Sequence, residues 1–465
     1  MKKLFLTLAA VLFALQALAQ GPKYVFFFIG DGMGVNIINY TQYYKAAVNG
    51  NHGTELLNFA KFPVCGIATT WCSDREVTDS AASGTALSTG SKTNYRSLGN
   101  DPEGKPLESI AEKARDAGRK VAVITTVGVN HATPGAFFAH QDSRNSYDAI
   151  SKDLIKAGFD FYAGSEIIRG KKEAKIEGFN PRKEITDAGY TFAASRNDFL
   201  GKYKDADKMI MIPDKEHQVT YAIDRPLAEG SPLSLTEMLT SATEFLMKDG
   251  CPQGFFLMAE GGRIDNATHG NDAATAVQEI LDMEDAIAYA IEFYNQHPDE
   301  TAILVTSDHD TGGSAIFPKN KEVIKYLDYQ KCSSGKMTSI LKKELEKCSY
   351  KMGWDDMKAF ISEYTGLWSL VSVKPEDAKA LEELYQNTIA KAATGNVSDE
   401  WGYNETAAIV YKAIEILDKY AGITWTTSSH SGSVVPVYYI GPKPELFSQM
   451  NDNALLGQRL AEVMF

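Results

Sequence analysis

The segments Val77-Thr78-Asp79-Ser80-Ala81-Ala82-Ser83-Gly84, Glu260 to His269 and Ser307-Asp308-His309 combine one serine with carboxylates and imidazoles at spacings suited to metal chemistry. Asp265 and His269 stand four positions apart, which puts an oxygen and an imidazole on one face of a helical turn, a common way to hold zinc. Glu260 ends the apolar run just before them. Asp308-His309 adds a second acid and imidazole, and Ser429-His430-Ser431-Gly432 adds a further imidazole. Four of the eight histidines, His131, His269, His309 and His430, stand in such motifs. His52, His140, His217 and His297 lack such company and receive no role. Taken alone, Asp79-Ser80 reads as a helix N-cap. A serine hydroxyl is a weak nucleophile until a base or metal activates it, but at a helix start the backbone N–H groups also face any oxyanion beside it. Together these segments read as a hydrolase with a metal-activated serine.

Residues this far apart converge only if the fold brings them to one place. Short β-branched and aromatic runs alternate with helix-length amphipathic segments, which predicts a three-layer α/β/α fold with a central, largely parallel sheet. Strands are expected over 24–29, 64–70, 121–126, 255–259, 302–306 and 435–440, and helices near 80–88, 107–117, 147–157, 234–248 and 271–295. Asp31, Glu260 and Asp308-His309 then follow strands directly, at the carboxyl ends where open α/β sheets bind ligands. Phe28-Ile29-Gly30-Asp31-Gly32-Met33-Gly34 ends a strand in an acid among glycines, which permit close approach. It has neither the Gly-x-Gly-x-x-Gly spacing of a dinucleotide fold nor the Gly-Lys-Ser/Thr of a P-loop. From about 313 to 424 the pattern turns helical (336–347, 355–363, 375–391 and 405–420) with no clear strand. This reads as an insertion decorating the core rather than an independent domain.

The chain begins with Lys2-Lys3, an apolar run from Leu4 to Ala14 and the small-x-small site Ala17-Leu18-Ala19. That is the pattern of an export signal over 1–19, leaving one catalytic domain over 20–465 in the periplasm or outside the cell. The formal charge of −13 argues against a nucleic-acid or anionic-membrane partner. An acidic protein still binds an anionic substrate where metal ions and an arginine reverse the sign locally. Among the five cysteines, Cys332 with Cys348 is the better disulfide candidate and Cys65 with Cys72 the second, with free packed thiols as the alternative.

In this order, Asp31, Asp79-Ser80-Ala81, Glu260-Gly261-Gly262-Arg263-Ile264-Asp265, Asp308-His309 and His430-Ser431-Gly432 resemble the metal-dependent alkaline phosphatases. The likeness runs from about Tyr24 to Pro442 outside the helical insertion. It implies a phosphomonoesterase with two Zn2+ and one Mg2+, acting on small phosphate monoesters through a phosphoseryl intermediate on Ser80. It assigns one zinc to Asp265, His269 and His430, and the other to Asp31, Asp308 and His309 together with Ser80. The third ion falls to Asp31, Glu260 and Thr133, beside His131. Arg144 takes the position that grips phosphate, with Asp79 orienting it. Homodimers are common among such proteins, but no residue here marks an interface. Two positions vary within the family. His131 stands where some relatives have Asp, and imidazole favours borderline metals over magnesium, which leaves the third site open to another divalent ion. Asn266 stands where many carry Lys or His, which implies weaker product binding.

A sulfatase would need a C/S-x-P-x-R pattern, and Ser80-Ala81-Ala82-Ser83-Gly84 has neither the Pro nor the Arg. A phosphodiesterase of the same superfamily is a closer alternative, but Glu260 and Thr133 supply a third-metal set that such relatives usually lack. A non-catalytic phosphate- or metal-binding envelope protein would need neither the serine nor its orienting acid.

Overall fold

Strand β1 (Tyr24–Gly30) is buried along its whole length, as a central strand covered on both faces must be. Its alternate side chains enter different cores. Tyr24, Phe26 and Phe28 pack with the helices Leu235–Met247 and Ala273–Gln296. Val25, Phe27 and Ile29 pack with Ile110–Asp116, Tyr147–Ala157 and Asn453–Met464 on the other face. Each fully buried Phe of this strand stabilises the fold by about 2 kcal/mol. The computed structural model describes residues 21–317, 323–394 and 399–465; the leader expected over 1–19 lies outside them.

The further strands are β2 (Val64–Thr69), β3 (Lys120–Thr125), β4 (Phe161–Ala163), β5 (Tyr190–Ala193), β6 (Lys208–Met211), β7 (Phe255–Gly261), β8 (Thr301–Thr306), β9 (Asp310–Thr311), β10 (Ala315–Ile316), β11 (Ile423–Thr424), β12 (His430–Ser431), β13 (Val435–Ile440) and β14 (Asn451–Asp452). Ten of them form one sheet in the order β14-β2-β13-β8-β1-β7-β3-β4-β6-β5. Strand β13 is antiparallel to β8 and β2, and the other pairings in this sheet are parallel. Ile29 is level with both Glu260 and Thr306, so the segments that follow β1, β7 and β8 leave the sheet side by side.

The expected strands and helices of the sheet are all present, with ends moved by a few residues. Strands β4, β5 and β6 were not expected; at three or four residues they are too short to show a period-2 pattern. Helices Val35–Val48 and Asn453–Met464 also went unpredicted. Between residues 313 and 424, helices Ser334–Lys347, Trp354–Thr365, Pro375–Thr394 and Asp399–Ala421 gather around an apolar cluster of their own that includes Leu341, Ile361, Tyr385, Ile409 and Leu417. The expectation of no strand there is corrected at both ends, where β10 pairs antiparallel with β11 and closes the base of the insertion.

Neither expected disulfide forms, and all five cysteines are free thiols. Cys332 and Cys348 flank the helix Ser334–Lys347, whose 14 residues at ~1.5 Å each hold them about 21 Å apart, against a Cα separation of at most ~7 Å in a disulfide. Cys65 lies in β2, which carries the chain about 13 Å onward by Thr69, and Cys72 then closes a turn with Arg75.

Candidate active site

Ser80 opens the helix Ser80–Thr89, and Asp79 caps it from extended backbone by accepting from Ala82 N–H at 3.2 Å. The same Oδ1 accepts from Arg96 N–H at 2.9 Å, which leaves Oδ2 for Arg144 Nη1, also at 2.9 Å. The cap and the orienting acid are thus one side chain. Arg144 brings Nη1 to 3.4 Å from Ser80 Oγ and Nη2 to 3.3 Å from His131 Nε2. Its pKa is raised: burial opposes the charge, and Asp79 outweighs burial. Burial and the adjacent guanidinium push His131 down to about 3, so its ring is neutral.

Three imidazoles share one arrangement. His430 Nδ1 lies 2.9 Å from the Thr78 carbonyl oxygen, and His269 Nδ1 lies 2.7 Å from that of Ser428. A carbonyl only accepts, so both Nδ1 atoms carry a proton and donate it. Thr311 gives its hydroxyl proton to Asp265 Oδ1 at 2.6 Å, so it accepts from His309 Nδ1 at 3.2 Å. All three rings therefore turn Nε2 toward carboxylates. His269 Nε2 is 3.3 Å from Asp265, and His430 Nε2 is 3.9 Å from the same acid. His309 Nε2 is 3.4 Å from Asp31, 3.3 Å from Asp308 and 3.2 Å from Ser80 Oγ. A proton can join such a pair at His269, whose pKa is raised by its bond to Asp265. Burial pushes His309 and His430 down, so there a cation is what satisfies both groups. A second hydrogen bond that fixes the far ring nitrogen is characteristic of metal-bound histidine.

The carboxylates give the same result. Burial raises Asp31 well above the ordinary carboxylate range, and Asp308, Asp265 and Glu260 raise it further. Burial also lifts Glu260 to about 7, while burial with the charges of Asp265 and Glu260 takes Asp308 to about 8. Asp265 alone falls below the usual range: burial opposes this, but His269, His309 and His430 outweigh it. Both oxygens of Asp31, Oε1 of Glu260, Oδ2 of Asp308 and the Thr133 hydroxyl are buried without a hydrogen-bond partner. Crowded, unpartnered buried acids are costly unless a cation compensates them. Three sets bring possible ligand atoms within 4.8 Å of one another: Asp265, His309 and His430; Asp31, His131 and Glu260; and Asp31, Asp308 and His309. The donor set of oxygens and imidazoles fits divalent metal ions.

The backbone makes room for this crowding. Gly32 adopts φ +70°, and a Cβ there would lie 2.9 Å from Asp265 Oδ1; its N–H donates to Asp308 Oδ1 at 3.2 Å. His430 arrives through β12, which pairs with β9 so that His430 sits opposite Thr311. Its ring stacks on that of His309 with centroids 3.6 Å apart.

The sequence-predicted residues converge at the carboxyl ends of β1, β3, β7 and β8. His269 is the outlier: it contacts Asp265 but belongs to none of the three tight sets, where His309 stands in its place beside His430. Thr133, on the short helix Ala132–Gly135, lies beside Glu260. Sequence reasoning missed Thr311, which orients both Asp265 and His309, and Thr125, which hydrogen-bonds Glu260 Oε2. Thr125 lies in the last two residues of the strand expected over 121–126 and was findable by position. Nothing in the sequence marks the carbonyls of Thr78 and Ser428. Arg263, inside the Glu260 motif, instead ties the carbonyls of Thr126 and Val219 at 3.1 and 2.8 Å.

The sequence model of the family described as alkaline phosphatase matches residues 22–169 and 161–464. Alkaline phosphatase 4 of Bacillus subtilis is 30% identical over 433 residues, covering 91% of this chain and 85% of that protein. Alkaline phosphatase 3 of the same organism is also 30% identical, covering 95% and 89%. Among solved structures, the cold-active alkaline phosphatase of a psychrophilic Shewanella superposes with a TM-score of 0.75 at 26% identity, over 95% of this chain and 100% of that one. The Thermus thermophilus alkaline phosphatase shares the fold with a TM-score of 0.76 at 22% identity, over 96% and 92%.

Proposed function

This chain belongs to the alkaline phosphatase family, and from that premise we propose how its own residues carry out metal-dependent phosphomonoester hydrolysis. Ser80 Oγ attacks phosphorus while the ester oxygen departs as the alcohol, leaving a phosphoseryl enzyme. A water molecule then attacks phosphorus, releases inorganic phosphate and restores Ser80; two in-line displacements give net retention at phosphorus. Arg144 holds two phosphoryl oxygens in its planar fork, and Asp79 keeps that fork aimed across Ser80.

Asp265, His269 and His430 would hold one zinc ion, and Asp31, Asp308 and His309 the other. Glu260, Thr133 and Asp31, beside His131, would hold magnesium or another divalent ion. When bound, such ions supply Lewis acidity toward the phosphoryl group and lower the pKa of hydroxyls on the oxygens they touch. Thr78, Ser428 and Thr311 keep the three imidazoles in the ligating tautomer. The single observation that carries this reading is the set of three Nε2 atoms turned by Nδ1 hydrogen bonds onto carboxylates around a buried serine. We further propose that residues 1–19 direct export and that 20–465 act as one catalytic domain carrying the helical insertion. The described residues contain no helix long and apolar enough to cross a membrane.

The test is purified protein with zinc and magnesium, assayed on an aryl phosphate monoester, a diester and a sulfate ester beside Ser80→Ala, with metal analysis of the same sample. Monoester turnover should exceed that of Ser80→Ala by on the order of 10^3-fold or more. Monoester turnover no higher than in Ser80→Ala would sink the assignment of Ser80, and faster turnover of the diester would favour the phosphodiesterase reading.

A further inference from the structure

Ser80 Oγ lies 3.2 Å from His309 Nε2, the ring atom that also faces Asp31 at 3.4 Å and Asp308 at 3.3 Å, which puts the nucleophile on the Asp31 and Asp308 side of the centre. In-line displacement places the departing oxygen on the opposite side of phosphorus, toward Asp265, His269 and His430. Of these three side chains His269 is the most open, at 38% exposure. It lines a cleft of about 770 Å³ together with residues of the helical insertion, which form one wall, a volume within the range of ligand-binding clefts.

That wall sets the aromatic and apolar side chains of Phe317, Leu384, Tyr411, Ile423 and Trp425 among the charged Lys412, Glu415, Asp418 and Lys419. Trp425 is held in place: its Nε1 donates to Asp418 at 2.8 Å, and its ring lies so close to Gly312 that a Cβ there would come within 2.5 Å. Tyr411 remains 43% exposed on the Asp399–Ala421 helix. The lysines at this wall already face acids, Lys412 on Glu415 and Lys419 on Asp377. The lining therefore suits a flat, uncharged group better than a second anion.

We propose that this cleft is the leaving-group subsite, and that it selects phosphate monoesters whose alcohol carries a planar aromatic or heteroaromatic group. The proposal rests on the phosphatase reading with Ser80 as nucleophile. It assigns the insertion a role in choosing substrates. Tyr411 and Trp425 supply π-faces for the group that leaves past His269, at a distance from the phosphoryl chemistry.

Adenosine 5′-monophosphate and ribose 5-phosphate test it, because both are esters of a primary alcohol and differ by the base. The ratio of their kcat/KM values in the wild-type enzyme should be about 10, the worth of one base stacked on an aromatic ring. In Tyr411→Ala the ratio should fall several-fold toward one, and Tyr411→Phe should restore it. A wild-type ratio within twofold of one, or a ratio unmoved by Tyr411→Ala, overturns the subsite while leaving the phosphatase reading intact. Turnover of neither ester above the Ser80→Ala level overturns both.

Discussion

Asp79 shows how one side chain can satisfy two readings of a sequence. Its Oδ1 caps a helix and its Oδ2 holds Arg144, so the unremarkable cap and the partner of Arg144 were never alternatives. Ser80, Asp265, His269, Asp308 and His309 were legible because their spacing carries the signal. Thr311, Thr78 and Ser428 were not, because what they contribute is a hydroxyl or a carbonyl fixed by a distant turn. At the same scale stands Asn266, exposed directly after Asp265. The family resemblance puts this position beside the phosphate, so Asn266→Lys should lower the inhibition constant of inorganic phosphate about 3- to 10-fold, by roughly 1 kcal/mol. Product-inhibition kinetics check this, and an unchanged constant would discard the role given to Asn266.

Among elements, the last turn of the Asp399–Ala421 helix is tied to the segments that carry His269 and His430. Asp418 is buried, and its Oδ2 accepts from Trp425 Nε1 at 2.8 Å and from Ala273 N–H at 3.4 Å. Those two partners begin the segments beside His430 and His269, so the insertion is tied to both loops. Asp418→Ala should raise the zinc concentration that half-restores activity to metal-stripped enzyme by about 10-fold, the usual scale for groups that support ligands. Asp418→Asn keeps an acceptor for Trp425 and should stay within about threefold of wild type by the same measure. Equal zinc titrations for both variants and wild type would dismiss this coupling. Hydrophobic runs of five or six residues announced β1, β7, β8 and β13 in the sequence; the two-residue strands β9 to β12 have too few residues for any period, although they deliver His430 and close the insertion.

For the molecule as a whole, stability depends on pH through a pair that the chemistry does not use. His140 Nε2 is 3.1 Å from Glu112 Oε1, and its Nδ1 is 2.9 Å from the Gly99 carbonyl oxygen. The bond to Glu112 raises the His140 pKa above 6.5, against burial. Burial opposes ionisation of Glu112, but His140 brings its pKa below 4.5. A raised histidine contributes stability that is complete below its unfolded pKa and lost as pH rises through the folded one. A lowered glutamate contributes stability that is complete above its unfolded pKa and lost on acidification. The pair therefore stabilises most between pH 4.5 and 6.5. His140→Gln should lower Tm more at pH 6 than at pH 9; an equal loss at both would show that the charge on His140 contributes nothing.

The sequence by itself determined the fold class and the class of reaction, and it named the candidate nucleophile and ligands, because strand periodicity and residue spacing are local properties written in order along the chain. Only the tertiary structure decided which ring nitrogen His269, His309 and His430 present, that His309 rather than His269 completes a compact set with Asp265 and His430, and that the insertion forms a wall of the cleft at His269. It also decided that Cys332 and Cys348 stay apart, since the helix between them is a rigid spacer. Each of these depends on where distant segments meet, and such meetings are set by strand order and by packing of the insertion onto the core, which no local pattern encodes.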